Sequence, residues 1–209
     1  MALKTYVKIS GINNLSDARY CAGMAVNVLG FNFEPDNPNY TDPTKFTAIA
    51  EWVSGVEFCA EFEKADAQQI QETLSQYPEV DYLQVSEVDL LPALQLLKKP
   101  IMLRLPASSL TKPDTLKELM ERSVRGVKYF LFEEERAAEP QALATVLSLS
   151  QHFPILLGFG MTAENIHTLL EQGAFEGIAL RGGDEIKAGY KDFDDLADVL
   201  EAIEIDDLA

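Results

Sequence analysis

The chain has 209 residues, enough to bury the core of one domain without metals or disulfides, and its 47% hydrophobic content is that of an ordinary globular protein. Seventeen basic residues against 34 acidic ones leave a net charge of −17, which argues against nucleic acid or an anionic membrane as partner. No apolar run is long enough to span a membrane, the first residues carry no secretory pattern, and Cys21 and Cys59 read as free thiols, so a cytoplasmic location is expected.

The aromatic and β-branched run at 6–9 predicts a strand. Gly11 then permits a tight turn, and Asn14 or Ser16 can cap a helix with Asp17 in its first turn. A second strand over 26–33 leads into a loop at 34–40 rich in Pro, Asn and Asp, and Asp42-Pro43 opens a helix reaching Trp52. Further strands are predicted over 56–62, 82–85, 101–105, 129–132, 155–158 and 177–180. Helices are predicted over 66–77, 89–97 (with Pro92 in its first turn), 112–122, from Glu139-Pro140 onward, 162–172 with Thr162 as cap, and 193–203. Eight strands alternating with eight helices point to an α/β fold: a (βα)8 TIM barrel forming a single domain over 1–203. An open doubly wound sheet is the rival, but no dinucleotide fingerprint follows the first strand. The acidic tail, 204–209, is expected to fray.

Barrel enzymes carry their sites at the carboxyl ends of the strands. That rule singles out Ser10, the loop after Phe33, Glu61, Ser86, Arg104, Glu133 and the loops after the last two strands. Gly158 and Gly160 form one glycine turn before a helix, and Arg181, Gly182 and Gly183 form a second. Glycines let backbone N–H groups converge, and helix N-termini favour anions, so the pair reads as a cradle for a phosphorylated small molecule. The bland alternative is two tight turns that need glycine for geometry alone. By strand parity Lys8 and Ser10 share one face, and Lys8 and Arg104 are expected inside the barrel, ion-paired among Glu57, Glu61 and Glu133. The two histidines, His152 and His167, fall in outer helices, and no metal-ligand or cofactor motif is present in the sequence. A monomer and a homodimer both remain open.

Several of these stretches, in order, resemble the phosphoribosylanthranilate isomerase family of tryptophan biosynthesis. Lys8-Ile9-Ser10-Gly11-Ile12-Asn13 is similar to the family's opening Lys-Ile-Cys-Gly-Ile-Thr, and residues 29–33 to its Leu-Gly-Phe-Val-Phe. Pro38-Asn39-Tyr40 sits where the family has Ser-Pro-Arg-Tyr, and Leu83-Gln84-Val85-Ser86 where it has Val-Gln-Leu-His. The loops at 157–165 and 179–185, with Gly189 and Lys191-Asp192, resemble its phosphate-binding end. The resemblance implies a (βα)8 barrel that isomerises N-(5′-phosphoribosyl)anthranilate without a cofactor. It places Ser10 at the base position, Glu133 at the acid position and Asn39 at the substrate-arginine position, where the family has Cys, Asp and Arg. Gln84, Arg104, Arg181 and the loop glycines are the remaining ligand candidates. The three exchanges imply weak or degenerate isomerase chemistry. The alternatives are an inactive, ligand-binding or regulatory paralogue and a different sugar-phosphate isomerase or lyase.

Overall fold

A computed structural model describes residues 2–133, 140–182, 185–187, 190–191 and 194–205. Its strands are β1 (Tyr6–Ser10), β2 (Val28–Asn32), β3 (Glu57–Glu61), β4 (Tyr82–Val85), β5 (Ile101–Pro106), β6 (Tyr129–Glu133), β7 (Ile155–Gly158) and β8 (Gly177–Arg181). They pair in parallel in sequence order, and β8 returns to β1 with Ser10 opposite Arg181, closing the barrel. Helices α1 (Leu15–Gly23), α2 (Pro43–Ala50), α3 (Ala67–Leu74), α4 (Leu91–Leu94), α5 (Pro113–Ser123), α6 (Pro140–Ser150), α7 (Ile166–Gln172) and α8 (Asp194–Ala202) lie between or after the strands. The (βα)8 architecture is therefore as the sequence predicts.

Local chemistry starts the helices. Asn14 Oδ1 accepts from the Asp17 N–H at 2.9 Å, which settles the first cap in favour of Asn14. Asp42 caps α2 ahead of Pro43, and Asp66 and Gln69 form a reciprocal capping box at α3. The predicted helix over 89–97 breaks up: 3₁₀ turns over Val88–Leu90 and Gln95–Leu97 flank the single turn of α4. Pro92 has no N–H to lend a longer helix, and Lys98 leaves it in the left-handed region at φ 55°. Helix α7 starts at Ile166 rather than Thr162. Asn165 turns back, accepting from the Thr162 N–H at 2.8 Å and donating to the Gly160 carbonyl at 2.9 Å, so Thr162 does not cap the helix.

Strand parity divides the barrel into two cores. Residues facing the helices form the larger one, which includes an aromatic knot under α2 where Phe33 and Tyr77 stack at 3.6 Å and Phe46 meets both edge-on. The opposite parity fills the interior with Val28, Cys59, Tyr82, Met102, Tyr129, Leu131, Leu156 and Ala179, against Tyr6. On β1 to β8 these apolar residues give way, toward the carboxyl end of the same strands, to Lys8, Gly30, Glu61, Gln84, Arg104, Glu133, Gly158 and Arg181. The interior is thus apolar at one end and charged at the other, and the charged end is where barrel sites lie.

Two further features were not expected. A short antiparallel pair, β9 (Glu185–Lys187) and β10 (Tyr190–Lys191), follows β8. Glu204 pairs with Leu3 in an antiparallel bridge, and the Ile205 N–H donates to the Ala2 carbonyl at 2.9 Å, so the first two tail residues are held rather than frayed. Residues 206–209 lie outside the described residues, as do Gly183, Gly189 and Asp192.

Candidate active site

At the barrel mouth five side chains from four strands form one chain of contacts. Glu61 Oε1 on β3 accepts from Lys8 Nζ at 2.5 Å, and the same ammonium donates to Ser10 Oγ at 2.5 Å. The Ser10 hydroxyl donates to Glu133 Oε1 at 2.7 Å, and Glu133 Oε2 accepts from Arg104 Nε at 2.9 Å. Glu63 stands 3.8 Å behind the Arg104 guanidinium. The N–H of Gly11, in the turn after β1, donates to the second Glu61 oxygen at 3.2 Å. Lys8 is fully buried, Glu61 and Ser10 nearly so, and the Glu133 side chain keeps 11% of its surface in contact with solvent. The chain therefore runs from the dry interior up to the open mouth.

The electrostatics follow from these contacts. Burial opposes the charge of Glu133, but Lys8, the Ser10 hydroxyl, Arg104 and Arg181 outweigh it and hold the carboxyl below its ordinary range. Burial likewise opposes the charge of Lys8, and Glu61 and Glu133 overcome it, holding the ammonium above the usual lysine range. Burial pushes the neighbouring Cys59 thiol far up, which leaves it inert. Glu133 is thus an anion and an acceptor at neutral pH. A general acid needs the opposite state, so the acid role that the family resemblance implies at this position does not match its protonation. Lys8, kept protonated, cannot activate Ser10 as a base.

Close approach requires glycine at two points. A Cβ on Gly30 would lie 2.0 Å from Glu61 Oε1 and 3.0 Å from Lys8 Nζ, so the ion pair occupies the volume a side chain on β2 would fill. A Cβ on Gly158 would lie 2.8 Å from Glu133 Cγ and 2.6 Å from the Phe132 carbonyl. Gly158, predicted to face phosphate, is therefore also the space into which the Glu133 side chain folds. Gly160 takes φ 72°, which its turn needs.

The other predicted residues reach the mouth with different partners. Arg181 ends β8, exposed, opposite Ser10 in the register and close enough to act on Glu133. The Gly182 N–H donates to the Ser10 carbonyl at 3.1 Å. With the Thr162 N–H bound to Asn165, two of the amides expected to line a phosphate cradle are engaged within the protein. Gln84 is buried beside Glu61 in register, and its Oε1 has no hydrogen-bond partner among the described residues; Ser86 Oγ, two residues on, is also buried without one among them. Residues 37–40 return to the mouth through a bridge between Asn32 and Tyr40, setting Asn39 near Gly11, where its Oδ1 accepts from Asn13 Nδ2 at 3.3 Å.

Glu57 differs from expectation. It begins β3 at the other end of the barrel, exposed, and takes no part in the mouth cluster, because parity puts it four residues below Glu61. Gly30, Asn13 and Glu34 also shape the mouth, although none of them was expected there. Glu34 Oε1 accepts from the N–H groups of both Lys64 and Ala65 at 2.7 Å, tying the loop after β2 to the loop after β3. A glycine inside a strand is itself a signal of close approach and marks Gly30; nothing in the sequence marks the Glu34 tie. His152 and His167 are exposed on the outside. Among the described residues no group of three His, Cys, Asp or Glu side chains is arranged to hold a metal ion, and no helix is long and apolar enough to cross a membrane.

No family model matches the chain. It is 26% identical over 204 residues to an N-(5′-phosphoribosyl)anthranilate isomerase of Maridesulfovibrio salexigens, covering 94% of this chain and 97% of that protein. The crystal structure of the phosphoribosylanthranilate isomerase from Thermus thermophilus superposes with a TM-score of 0.74 at 19% identity, over 95% of this chain and 98% of that one. A further isomerase of this kind, solved in complex with reduced 1-(o-carboxyphenylamino)-1-deoxyribulose 5-phosphate, gives 0.72 at 19% identity over 95% and 98%. The barrel expected from the motifs, and the resemblance they carry, are both borne out.

Proposed function

We infer that this chain belongs to the phosphoribosylanthranilate isomerase family and performs its reaction, the isomerisation of N-(5′-phosphoribosyl)anthranilate in tryptophan biosynthesis, through Glu133 as base. The hydrogen bond from Ser10 to an ionised Glu133 at the mouth is the observation that carries this reading. The ring-opened substrate is an imine with a hydroxyl-bearing C2. Glu133 takes the proton from C2 while the nitrogen gains one, giving an enolamine. The enol O–H then gives up its proton as C1 accepts one, leaving a ketone with no net proton consumed. Ser10 fixes the carboxylate that does this work.

The ring oxygen must also be protonated for opening, and an ionised Glu133 does not supply that proton. Opening is left to the slow equilibrium of the glycosylamine in water. Loss of a positioned acid–base group costs on the order of 10²–10⁴ in rate, so the enzyme is slow. The phosphate lies toward Arg181 and the loops at 158–162 and 181–182, and Gln84 Oε1 and Ser86 Oγ supply polar contacts. Asn39 offers hydrogen bonds but no charge to the aryl carboxylate, where a bidentate cation would bind more tightly. No cofactor or metal is called on, and the enzyme acts in the cytoplasm as a monomer or homodimer.

Loss of substrate fluorescence, measured for the native chain and for Ser10→Cys with Asn39→Arg, tests this. Slow native turnover is expected, with a lower KM in the double variant from the added arginine. Absence of turnover in both would overturn the reading and favour a ligand-binding paralogue.

A further inference from the structure

The direction of the hydrogen bonds at the mouth is fixed by Lys8 and Arg104, which can only donate. An ammonium has three N–H donors and no acceptor. Lys8 Nζ lies 2.5 Å from Ser10 Oγ, so the serine oxygen accepts there and its single proton is free for one other bond. That proton goes to Glu133 Oε1, while Arg104 donates to Oε2. Both Glu133 oxygens therefore accept, the arrangement of a carboxylate and not of a carboxylic acid. Were Lys8 absent, the Ser10 hydroxyl could turn and accept from a protonated Glu133, the state a general acid needs.

Lys8 cannot swing away. Glu61 Oε1 holds it at 2.5 Å, the Gly11 N–H holds the other Glu61 oxygen, and both members lie in the space that the missing Cβ of Gly30 leaves. The groups facing Glu133 are Lys8 and Ser10 from β1, Arg104 from β5 and Arg181 from β8, with Glu61 behind Lys8 and Glu63 behind Arg104. We propose that Lys8, seated by Glu61 against Gly30, is a positioning residue that aims the Ser10 hydroxyl at Glu133 and so makes that carboxylate the base of the site and bars it from acting as the acid. The catalytic consequence rests on the isomerase reading; the positioning rests on the contacts alone.

Carboxyl-carbon NMR titration of the labelled full chain tests this, with Glu133→Gln identifying the Glu133 signal. The paired substitution Lys8→Met with Glu61→Gln removes both charges together and avoids leaving one buried alone. The Glu133 midpoint is expected to rise by about one pH unit, the low end of what a neighbouring opposite charge contributes, with near-ultraviolet circular dichroism unchanged. The acid limb of kcat is expected to move up with it, and KM to stay. Should the pair not fold, Gly30→Ala displaces both groups and the same midpoint is read. An unchanged midpoint in a folded variant would overturn the positioning role, whatever the turnover. A shifted midpoint in the variant together with no turnover in the native chain would uphold it and overturn the isomerase reading alone.

Discussion

At the scale of single residues, each proton of the site is held between fixed partners. Ser10 is committed on both sides, to Lys8 and to Glu133, and Glu133 is committed to Ser10 and Arg104. Stability should register the same charges. The folded midpoint of Glu133 lies below its ordinary 4.5, so its contribution is fully present above pH 4.5 and is lost as pH falls through the lower folded value. The folded midpoint of Lys8 lies above 10.5, so its contribution is fully present below pH 10.5 and is lost as pH rises beyond it. Urea midpoints between pH 3 and 11 should therefore stay level, as far as this pair is concerned, across roughly pH 5 to 10; a fall near neutrality that Glu133→Gln removes would contradict this. Ser10, Arg104 and Glu133 were legible from strand parity and barrel position. The protonation of Glu133 was not, because it depends on Lys8 and Arg181, which the closed register alone brings beside it.

At the scale of elements, β2 bears on the mouth through what it lacks. Gly30→Ala would put a methyl 2.0 Å from Glu61 Oε1, and overpacking of this kind costs roughly 1–3 kcal/mol. The melting temperature should drop by several degrees while secondary structure stays intact, and turnover should fall with it; an unperturbed variant would mean that the pair has room to move. The turns show where sequence reading stopped. Residues 158–165 have the glycines of an anion cradle, yet Asn165 turns its amide back on Gly160 and Thr162, shortening α7 by four residues from its predicted start. Asn165 is a good turn residue and a good cap residue alike, and only the folded loop decides between the two. Likewise 89–97 has helical spacing, but Pro92 and the left-handed Lys98 leave it one turn of α-helix.

At the scale of the whole molecule, the periodic alternation of eight strands and eight helices was enough to read the barrel, because parallel strands buried on both faces leave long apolar runs. Closure was less legible. The ends meet through two backbone hydrogen bonds, from the Lys4 N–H to the Ile203 carbonyl and from the Ile205 N–H to the Ala2 carbonyl, which frame the Leu3–Glu204 bridge and which composition does not announce. A chain ending at Ile203 should lose one of these two bonds and about 1 kcal/mol of stability, read as a fall of roughly 2–4 °C in Tm; an unchanged Tm would show that the barrel floor closes without it. Whether the proposed isomerisation runs here through an ionised Glu133 is tested most directly by turnover of N-(5′-phosphoribosyl)anthranilate in the native chain and in Glu133→Gln. We expect slow native turnover that falls by about 10² or more in the variant while the fold is kept. Equal turnover in the two proteins, or none in the native one, would contradict it.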